Sequence, residues 1–292
     1  MPKVSIVIPT YNKAKYLPEA IESVLNQTYQ DIDIIIIDDG SNDNTKEIIC
    51  KYIQEFSGKI KYYSQKNQGP AAARNRGIRE AKSDFISFLD SDDLYIQDYL
   101  EQCIKYINDN GFDLIMTDNY YELYDENGKC LKKEYRTREN YKGNENKLYE
   151  ILFSRFQNGF SGDMRILIKK ACFHDIGFFD ENLHILEDWD LWLRIAKNNL
   201  KVGYINRPLF VYRRFVESIC RNRNNDMLKL RNIYYAFEKN KKDAFRINYK
   251  LINSYKQTLW MLGTNSIVNK LGLFFGIKCL IKSKLAFLLP NN

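Results

Sequence analysis

The chain has 292 residues, 45% of them hydrophobic and 14% aromatic, room for one large domain or one domain with an appendage and enough apolar matter for a substantial core. Disorder and repeat architecture are excluded by that composition and by the absence of any internal period. The net charge of +7 is uneven: residues 1–200 hold 26 Lys+Arg against 33 Asp+Glu (−7), and residues 201–292 hold 18 against 4 (+14).

Val4 to Pro9 (VSIVIP) is a short β-branched run closed by proline and reads as a buried strand. Leu17, Ile21, Val24 and Leu25 follow at helical spacing, with Pro18 in the first turn. Ile32 to Ile37 is nearly all isoleucine, the pattern of a parallel strand covered on both faces. Capping residues from Ser41 to Thr45 predict a helix to about Phe56, and Ile60–Tyr63 reads as a third strand. Pro70 opens a helix holding Ala71, Ala72, Ala73, Ile78 and Ala81. Phe85–Leu89 is a fourth strand, and a helix from Gln97 to Ile107 and a strand at Asp113–Thr117 come next.

This alternation predicts an α/β fold with a doubly wound, mostly parallel sheet. Tyr120–Lys132 then reads as a hairpin turning at Asn127-Gly128, Met164–Ile168 as a strand and Glu187–Lys197 as a helix. After about Arg213 the chain reads as helical and basic. The expected organisation is therefore one domain over residues 1–215 and a helical basic extension over 216–292.

In an open α/β sheet, ligands sit at the carboxyl ends of the strands. Two acidic clusters fall there: Asp38-Asp39-Gly40-Ser41 and Asp90-Ser91-Asp92-Asp93. Either alone is equally a turn with a helix cap. Together they concentrate negative charge, which needs a cation or hydrogen bonds to be tolerable. Oxygen ligands without His or Cys suit Mg2+ or Mn2+, ions that complete their shell with water and phosphate oxygens. A diphosphate ligand is thereby implied. No P-loop and no Gly-x-Gly-x-x-Gly follows the first strand; Thr10-Tyr11-Asn12-Lys13 stands there instead, which argues against a nucleotidylyltransferase as well. A third acidic group, Glu187-Asp188-Trp189-Asp190, opens a helix, where carboxylates also suit the helix dipole. Alternatively one of its carboxylates is a general base, and Trp189 or Trp192 stacks on a sugar, with packing into the core an equal alternative for Trp192.

The segments VSIVIPTYNKAKYLPEAIESVLNQTYQDIDIIIIDDGSNDNT, GPAAARNRGI, FLDSDD and EDWDLWLR, in that order over residues 1–215, resemble glycosyltransferase family 2, whose fold is GT-A. The resemblance implies an inverting sugar transfer from a nucleotide-diphosphate sugar, a UDP-sugar by family frequency. It further implies that Pro9, Thr10, Tyr11, Asn12, Asp39 and Arg74 line the nucleotide, with Asp90 near the ribose, Ser91 beside it and Asp92 on a Mn2+ or Mg2+ ion. Asp93 is a secondary candidate for metal or structure. Asp188 matches the catalytic base, with Glu187 and Trp189 at the acceptor. No Gln-x-x-Arg-Trp motif of processive members occurs, so a single sugar per binding event is expected. The competing non-enzymatic reading, a nucleotide-sugar-binding protein that lost catalysis, predicts loss of Asp92 or Asp188, and both are present.

Leu271–Leu289 is apolar but interrupted by Lys278, Lys282 and Lys284. It reads as an interfacial helix on an anionic membrane or as a helix covering the domain. The six cysteines have no zinc-type spacing, and Met1 leads almost directly into a strand, so reduced, mostly buried cysteines in a cytoplasmic protein are expected. The Lys/Asn/Ile/Tyr-rich composition points to an AT-rich bacterial genome and to surface polysaccharide assembly, such as O-antigen lipopolysaccharide or capsule. The expected acceptor is a glycan, with an undecaprenyl-diphosphate-linked glycan at the inner membrane as one form. No nucleic-acid-binding module is visible.

Overall fold

The computed structural model describes residues 3–137, 164–183 and 185–215, together with Tyr235 and Lys239. The chain forms two compact units. The first comprises Met1–Gly143, Asp163–Asn182 and Asn198–Val216; the second comprises Asn144–Gly162, Leu183–Lys197 and Glu217–Asn292.

The first unit is built on a nine-stranded sheet in the order β3-β2-β1-β4-β8-β6-β9-β5, with β7 paired to β6. Its strands are β1 (Val4–Thr10), β2 (Ile32–Asp38), β3 (Ile60–Ser64), β4 (Phe85–Phe88), β5 (Leu94–Tyr95), β6 (Leu114–Tyr124), β7 (Cys130–Arg136), β8 (Ile166–Lys169) and β9 (Val202–Phe215). The helices between them are α1 (Leu17–Leu25), α2 (Thr45–Glu55), α3 (Pro70–Glu80), α4 (Tyr99–Asn110) and the short α5 (Cys172–Ile176).

Parallel pairing joins β3, β2, β1 and β4, and also β6 to β9. The pairings β4–β8, β6–β8, β6–β7 and β5–β9 are antiparallel. The parallel block is the part that the isoleucine runs encode; the strands beyond β4 make the sheet mixed.

The two faces of the block are covered from different helices, which is what double winding requires. Val4, Ile6, Ile8, Ile32, Ile34 and Ile36 share one face with Leu17, Ile21, Val24, Ile49, Leu100 and Ile104 from α1, α2 and α4. Each such fully buried aliphatic side chain contributes about 1.5–3 kcal/mol. The opposite face meets α3, where a Cβ on Gly77 would lie 2.2 Å from Val7 Cγ1. Glycine there lets helix and strand backbones approach closely. At the amino ends of the same strands, Ser5 Oγ donates to Asp33 Oδ1 at 2.6 Å and Lys61 Nζ lies 2.5 Å from Asp33 Oδ2. The one charged residue in the isoleucine run is thus fully partnered.

Several boundaries differ from expectation. The strand expected at Asp113–Thr117 runs without a break into the first arm of the hairpin expected from Tyr120, the two forming β6; β7 is the second arm, and the turn between has Gly128 at φ 80°. The helix expected from Gln97 starts at Tyr99, after the two-residue β5. Arg213–Phe215, expected to be helical, close β9. Of the described cysteines, Cys103 and Cys172 are buried and Cys50 and Cys130 are exposed, so "mostly buried" does not hold for these four. The basic extension over 216–292, including Leu271–Leu289, lies outside the described residues apart from Tyr235 and Lys239. Among the described residues no helix is long and apolar enough to cross a membrane.

In the second unit, the described helix is α6 (Glu187–Lys197). Trp189, Leu191, Trp192, Leu193 and Ile195 are buried, and buried Asp190 pairs with Arg194 at 2.9 Å and Lys239 at 3.0 Å.

Candidate active site

β1, β2 and β4 run parallel and bring their carboxyl ends to one edge of the sheet. β2 and β4 flank β1 and are not neighbours, so the two acidic clusters stand on either side of the β1–α1 loop. This is the place where the order of strands reverses, the usual crevice for a ligand in such sheets.

Asp38 and Asp39 have separate tasks. Asp38 Oδ1 accepts the Ser41 N–H at 2.9 Å and Oδ2 accepts the Tyr62 hydroxyl at 3.0 Å, closing the turn after β2. Burial, and then the Asp38 carboxylate, push the Tyr62 phenol up to about 12. Asp39 Oδ1 accepts Gln65 Nε2 at 2.8 Å and the Gln68 N–H at 3.0 Å, and its Oδ2 accepts the Gly69 N–H at 2.8 Å. The carboxylate therefore folds the loop that leads into α3. Gly40, directly after Asp39, has φ 83°, and a Cβ there would lie 3.0 Å from the Asn67 nitrogen. Only glycine combines that dihedral with that approach.

The β1–α1 loop is laced to the turn after β2. Asn12, at φ 51°, donates its N–H to Ser41 Oγ at 2.9 Å and accepts the Asn42 N–H on Oδ1 at 2.9 Å. Ala14 N–H donates to Asp43 Oδ2 at 3.0 Å. Burial opposes the charge on Asp43, yet hydrogen bonds from Thr45 and Ala14 hold its carboxyl below the ordinary range. Pro9 is partly buried and Thr10 buried, while Tyr11 leaves 43% of its surface exposed. The Thr10 hydroxyl is buried without a hydrogen-bond partner among the described residues, a donor that a ligand at this edge would satisfy.

The segment after β4 shows how its crowded carboxylates are tolerated. Each has a cation from a different part of the chain. Arg74 Nη2 of α3 is 2.7 Å from Asp90 Oδ1, and Lys13 Nζ is 2.6 Å from Asp92 Oδ2. Arg165, just before β8, has Nη1 3.5 Å from Asp93 Oδ2. Asp93 is deeply buried: burial pushes its carboxyl well above the usual range, Arg165 opposes this, and Asp92 and Asp90 add to it. Ser91 is buried beside them. Arg213 of β9 holds the segment from behind. Its N–H donates to Asp93 Oδ1 at 2.8 Å, its Nε donates to the Asp92 carbonyl at 2.5 Å, and its Nη1 pairs with Glu19 of α1.

Next to Arg74, Asn75 bonds Phe179 and Glu181: Nδ2 donates to the Phe179 carbonyl at 3.0 Å and to Glu181 Oε1 at 2.8 Å, and Oδ1 accepts the Phe179 N–H at 2.8 Å. The Arg-Asn pair thus serves the site with one residue and the scaffold with the next.

All nine residues expected at the nucleotide and metal — Pro9, Thr10, Tyr11, Asn12, Asp39, Arg74, Asp90, Ser91 and Asp92 — lie in the first unit around these strand ends. The other three lie on α6 in the second. Asp188 Oδ1 accepts the Trp189 N–H at 2.7 Å, and Leu186 enters the helix at φ 69°. Glu187 is buried. Trp189 is buried, with 1% of its surface exposed. Among the described residues no group of three or more His, Cys, Asp or Glu is arranged to hold a metal. The residues that sequence reading missed are Arg165, inside the stretch read as a strand, and Arg213, at the start of the stretch read as helical and basic.

Comparison with known proteins places this geometry. Residues 5–171 match the model of Glycosyl transferase family 2. The chain is 32% identical over 278 residues to the glycosyltransferase GlyG of Streptococcus pneumoniae serotype 4, covering 88% of each chain. It is 37% identical over 221 residues to an uncharacterized glycosyltransferase of Rickettsia felis, covering 71% of this chain and 32% of that one. The chain spans about a third of the length of the three Rickettsia relatives from felis, bellii and conorii that it matches. S. aureus TarS 1–349, solved in complex with UDP-GlcNAc, superposes with a TM-score of 0.58 at 16% identity, covering 96% of this chain and 89% of that one. The same TarS fragment in complex with UDP gives 0.56. A mixed α/β sheet with acidic clusters at the ends of β2 and β4, the match to the family model and the relatives agree: the chain has the GT-A fold and belongs to glycosyl transferase family 2.

Proposed function

We propose that this chain is an inverting glycosyltransferase that moves one sugar at a time from a nucleotide-diphosphate sugar, a UDP-sugar in the first instance, to a hydroxyl of a glycan acceptor. The observation that carries the reading is the arrangement of Asp90 and Asp92 at the end of β4, each ion-paired and still partly open, across the β1–α1 loop from Asp39. The complex of TarS with UDP-GlcNAc supports the donor class.

In this reading Tyr11, Asn12 and Asp39 line the base, Asp90 and Ser91 the ribose side, and Arg74 the donor phosphates. A Mn2+ or Mg2+ ion fits the residues present. Asp92 is an accessible carboxylate already neutralised by a cation, the donor set is oxygen, and hard ions of this kind are held by one or two carboxylates with phosphate oxygens completing the shell. Asp92 would hold the ion, which when bound supplies charge neutralisation to the departing diphosphate.

The remaining chemistry belongs to the chain. The Asp188 carboxylate takes the proton of the acceptor hydroxyl. That oxygen attacks the anomeric carbon from the face opposite the nucleotide, the bond from that carbon to the β-phosphate oxygen breaks, and the nucleoside diphosphate leaves with the electron pair. Configuration inverts in a single displacement, and no sugar–enzyme bond forms. Glu187 shapes the acceptor side. The reading extends to bacterial surface polysaccharide assembly, including an undecaprenyl-diphosphate-linked acceptor at the cytoplasmic face of the inner membrane; its support there is the amino-acid composition and the basic tail.

Asp188→Asn tests the assignment of the base. Calorimetry should show UDP-sugar binding within about twofold of wild type, while transfer falls by roughly 100-fold to 10,000-fold. Transfer at near wild-type rate would remove Asp188 from the mechanism.

A further inference from the structure

Lys13 is a charged group of this edge that the reading above does not use. Its backbone is fixed from both sides. Asn12 before it is tied to Ser41 and Asn42 at 2.9 Å each, and the Lys13 carbonyl accepts the N–H groups of Tyr16 and Leu17 at 3.0 Å each, starting α1. The side chain is less constrained, with 28% of its surface exposed against 22% for Asp92. Its ammonium lies 2.6 Å from Asp92 Oδ2 and 5.5 Å from the centre of the Tyr16 ring. That ring is in turn stacked on Phe215 with centroids 4.0 Å apart. The ammonium therefore touches two seats, a carboxylate oxygen and an aromatic face, and both suit a cation.

An ammonium bonded to Oδ2 disfavours a divalent ion on the same carboxylate. The two share one negative charge, and their own charges repel over a few ångströms. A diphosphate arriving with the ion changes that balance, because it brings new negative oxygens for the ammonium.

We propose that Lys13 is the resident counter-ion of Asp92 and exchanges with the donor's divalent cation: it neutralises the carboxylate when no donor is bound and passes to the diphosphate oxygens when ion and nucleotide enter together. The inference rests on the donor-site reading of Asp92. It makes the site discriminate against metal without nucleotide. Ion and nucleoside diphosphate bind with positive coupling, and by linkage each raises the affinity of the other by the same factor.

The test is a titration of full-length protein with Mn2+, followed by electron paramagnetic resonance, with and without saturating UDP. It compares wild type, Lys13→Met, Lys13→Arg and Asp92→Asn, each checked for an unchanged melting temperature. UDP affinity in EDTA is measured alongside by calorimetry. Lys13→Met should bind Mn2+ alone about fivefold to tenfold more tightly than wild type, the scale of a partly exposed ion pair and the repulsion it imposes. The gain in Mn2+ affinity on adding UDP should shrink by a similar factor, and UDP in EDTA should bind more weakly to this variant. Lys13→Arg keeps the charge and should stay near wild type on all three counts.

Were Lys13→Met to bind Mn2+ alone no more tightly than wild type, while Asp92→Asn loses Mn2+, the metal reading would stand and the exchange would be refuted. If wild type, Lys13→Met and Asp92→Asn all fail to take up Mn2+ even with UDP, the metal reading falls and the exchange with it. UDP binding in EDTA then tells whether the nucleotide site survives.

Discussion

Arg213 Nε donates a 2.5 Å hydrogen bond to the main-chain carbonyl of Asp92. A residue at the far end of β9, 121 positions along the chain, thereby fixes the backbone of the acidic segment after β4. The same side chain reaches Glu19 on α1, and its main-chain N–H caps Asp93. Removing this guanidinium takes the donor from the Asp92 carbonyl and the partner from Glu19, whose side chain is 56% exposed, while the main-chain bond to Asp93 stays. Arg213→Met should destabilise the fold by about 1–3 kcal/mol, the scale of a polar group left without its hydrogen-bond partner. Arg213→Lys keeps the charge but not the fork, and should recover part of the melting temperature while leaving UDP affinity reduced by roughly tenfold. Wild-type UDP affinity in the lysine variant would show that the fork does not position the segment.

Asp39 accepts two main-chain N–H groups and one side-chain amide on its two oxygens. Asparagine of the same shape has one acceptor oxygen, so one main-chain donor must face an NH2 group. Asp39→Asn should cost about 1–3 kcal/mol locally. Amide exchange at Gln68 and Gly69 should speed up, and UDP affinity should drop by about tenfold. Unchanged exchange at both amides would contradict this account of the loop.

The approach of α3 to β1 depends on Gly77. A methyl group there meets Val7 side-chain carbons at 2.2 and 2.9 Å. Gly77→Ala should destabilise by roughly 1–3 kcal/mol through overpacking. Val7→Ala removes the obstructing methyls, so the double variant should lose less than the sum of the two single losses. Strict additivity in a double-mutant cycle would show that the two do not meet.

Tyr62 offers a pH signature. Its phenol is raised from 10.0 to about 12, by burial first and by Asp38 second. Between those values the folded chain binds a proton that the unfolded chain has lost. The resulting stability is fully present below about pH 10 and disappears as pH rises through 12. The melting temperature of wild type should therefore fall more steeply over that interval than that of Tyr62→Phe. Parallel curves would contradict the Tyr62–Asp38 bond.

The sequence makes the parallel half of the sheet readable because burial on both faces leaves unbroken isoleucine and valine runs, as in β1 and β2. α1 is legible to its ends, since Pro18 and the spacing of Leu17, Ile21 and Val24 agree. β9 is not. Pro208 and the register shifts opposite Thr117 and Asp118 interrupt its alternation, and its arginines look like solvated surface until Asp93 and Glu19 are seen beside Arg213. β5 is two residues long and has no period to detect. At the site, the acidic clusters and Arg74 are visible in sequence, but which cation pairs with which carboxylate is not. Arg74, Lys13 and Arg165 come from three separate segments, and pairing across segments leaves no local trace. Trp189 shows a further limit: its motif is visible in sequence and the burial of its ring is not.

Transfer from a nucleotide-diphosphate sugar is read out by the release of nucleoside diphosphate. Purified full-length protein would be incubated with a panel of UDP-, GDP- and dTDP-sugars and glycan or lipid-linked acceptors, with Mn2+ or with EDTA. Nucleoside diphosphate should be released from one donor, most readily a UDP-sugar, dependent on the metal and lost in Asp92→Ala. No release from any donor, with wild-type protein folded and acceptors supplied, would contradict transfer from such a sugar.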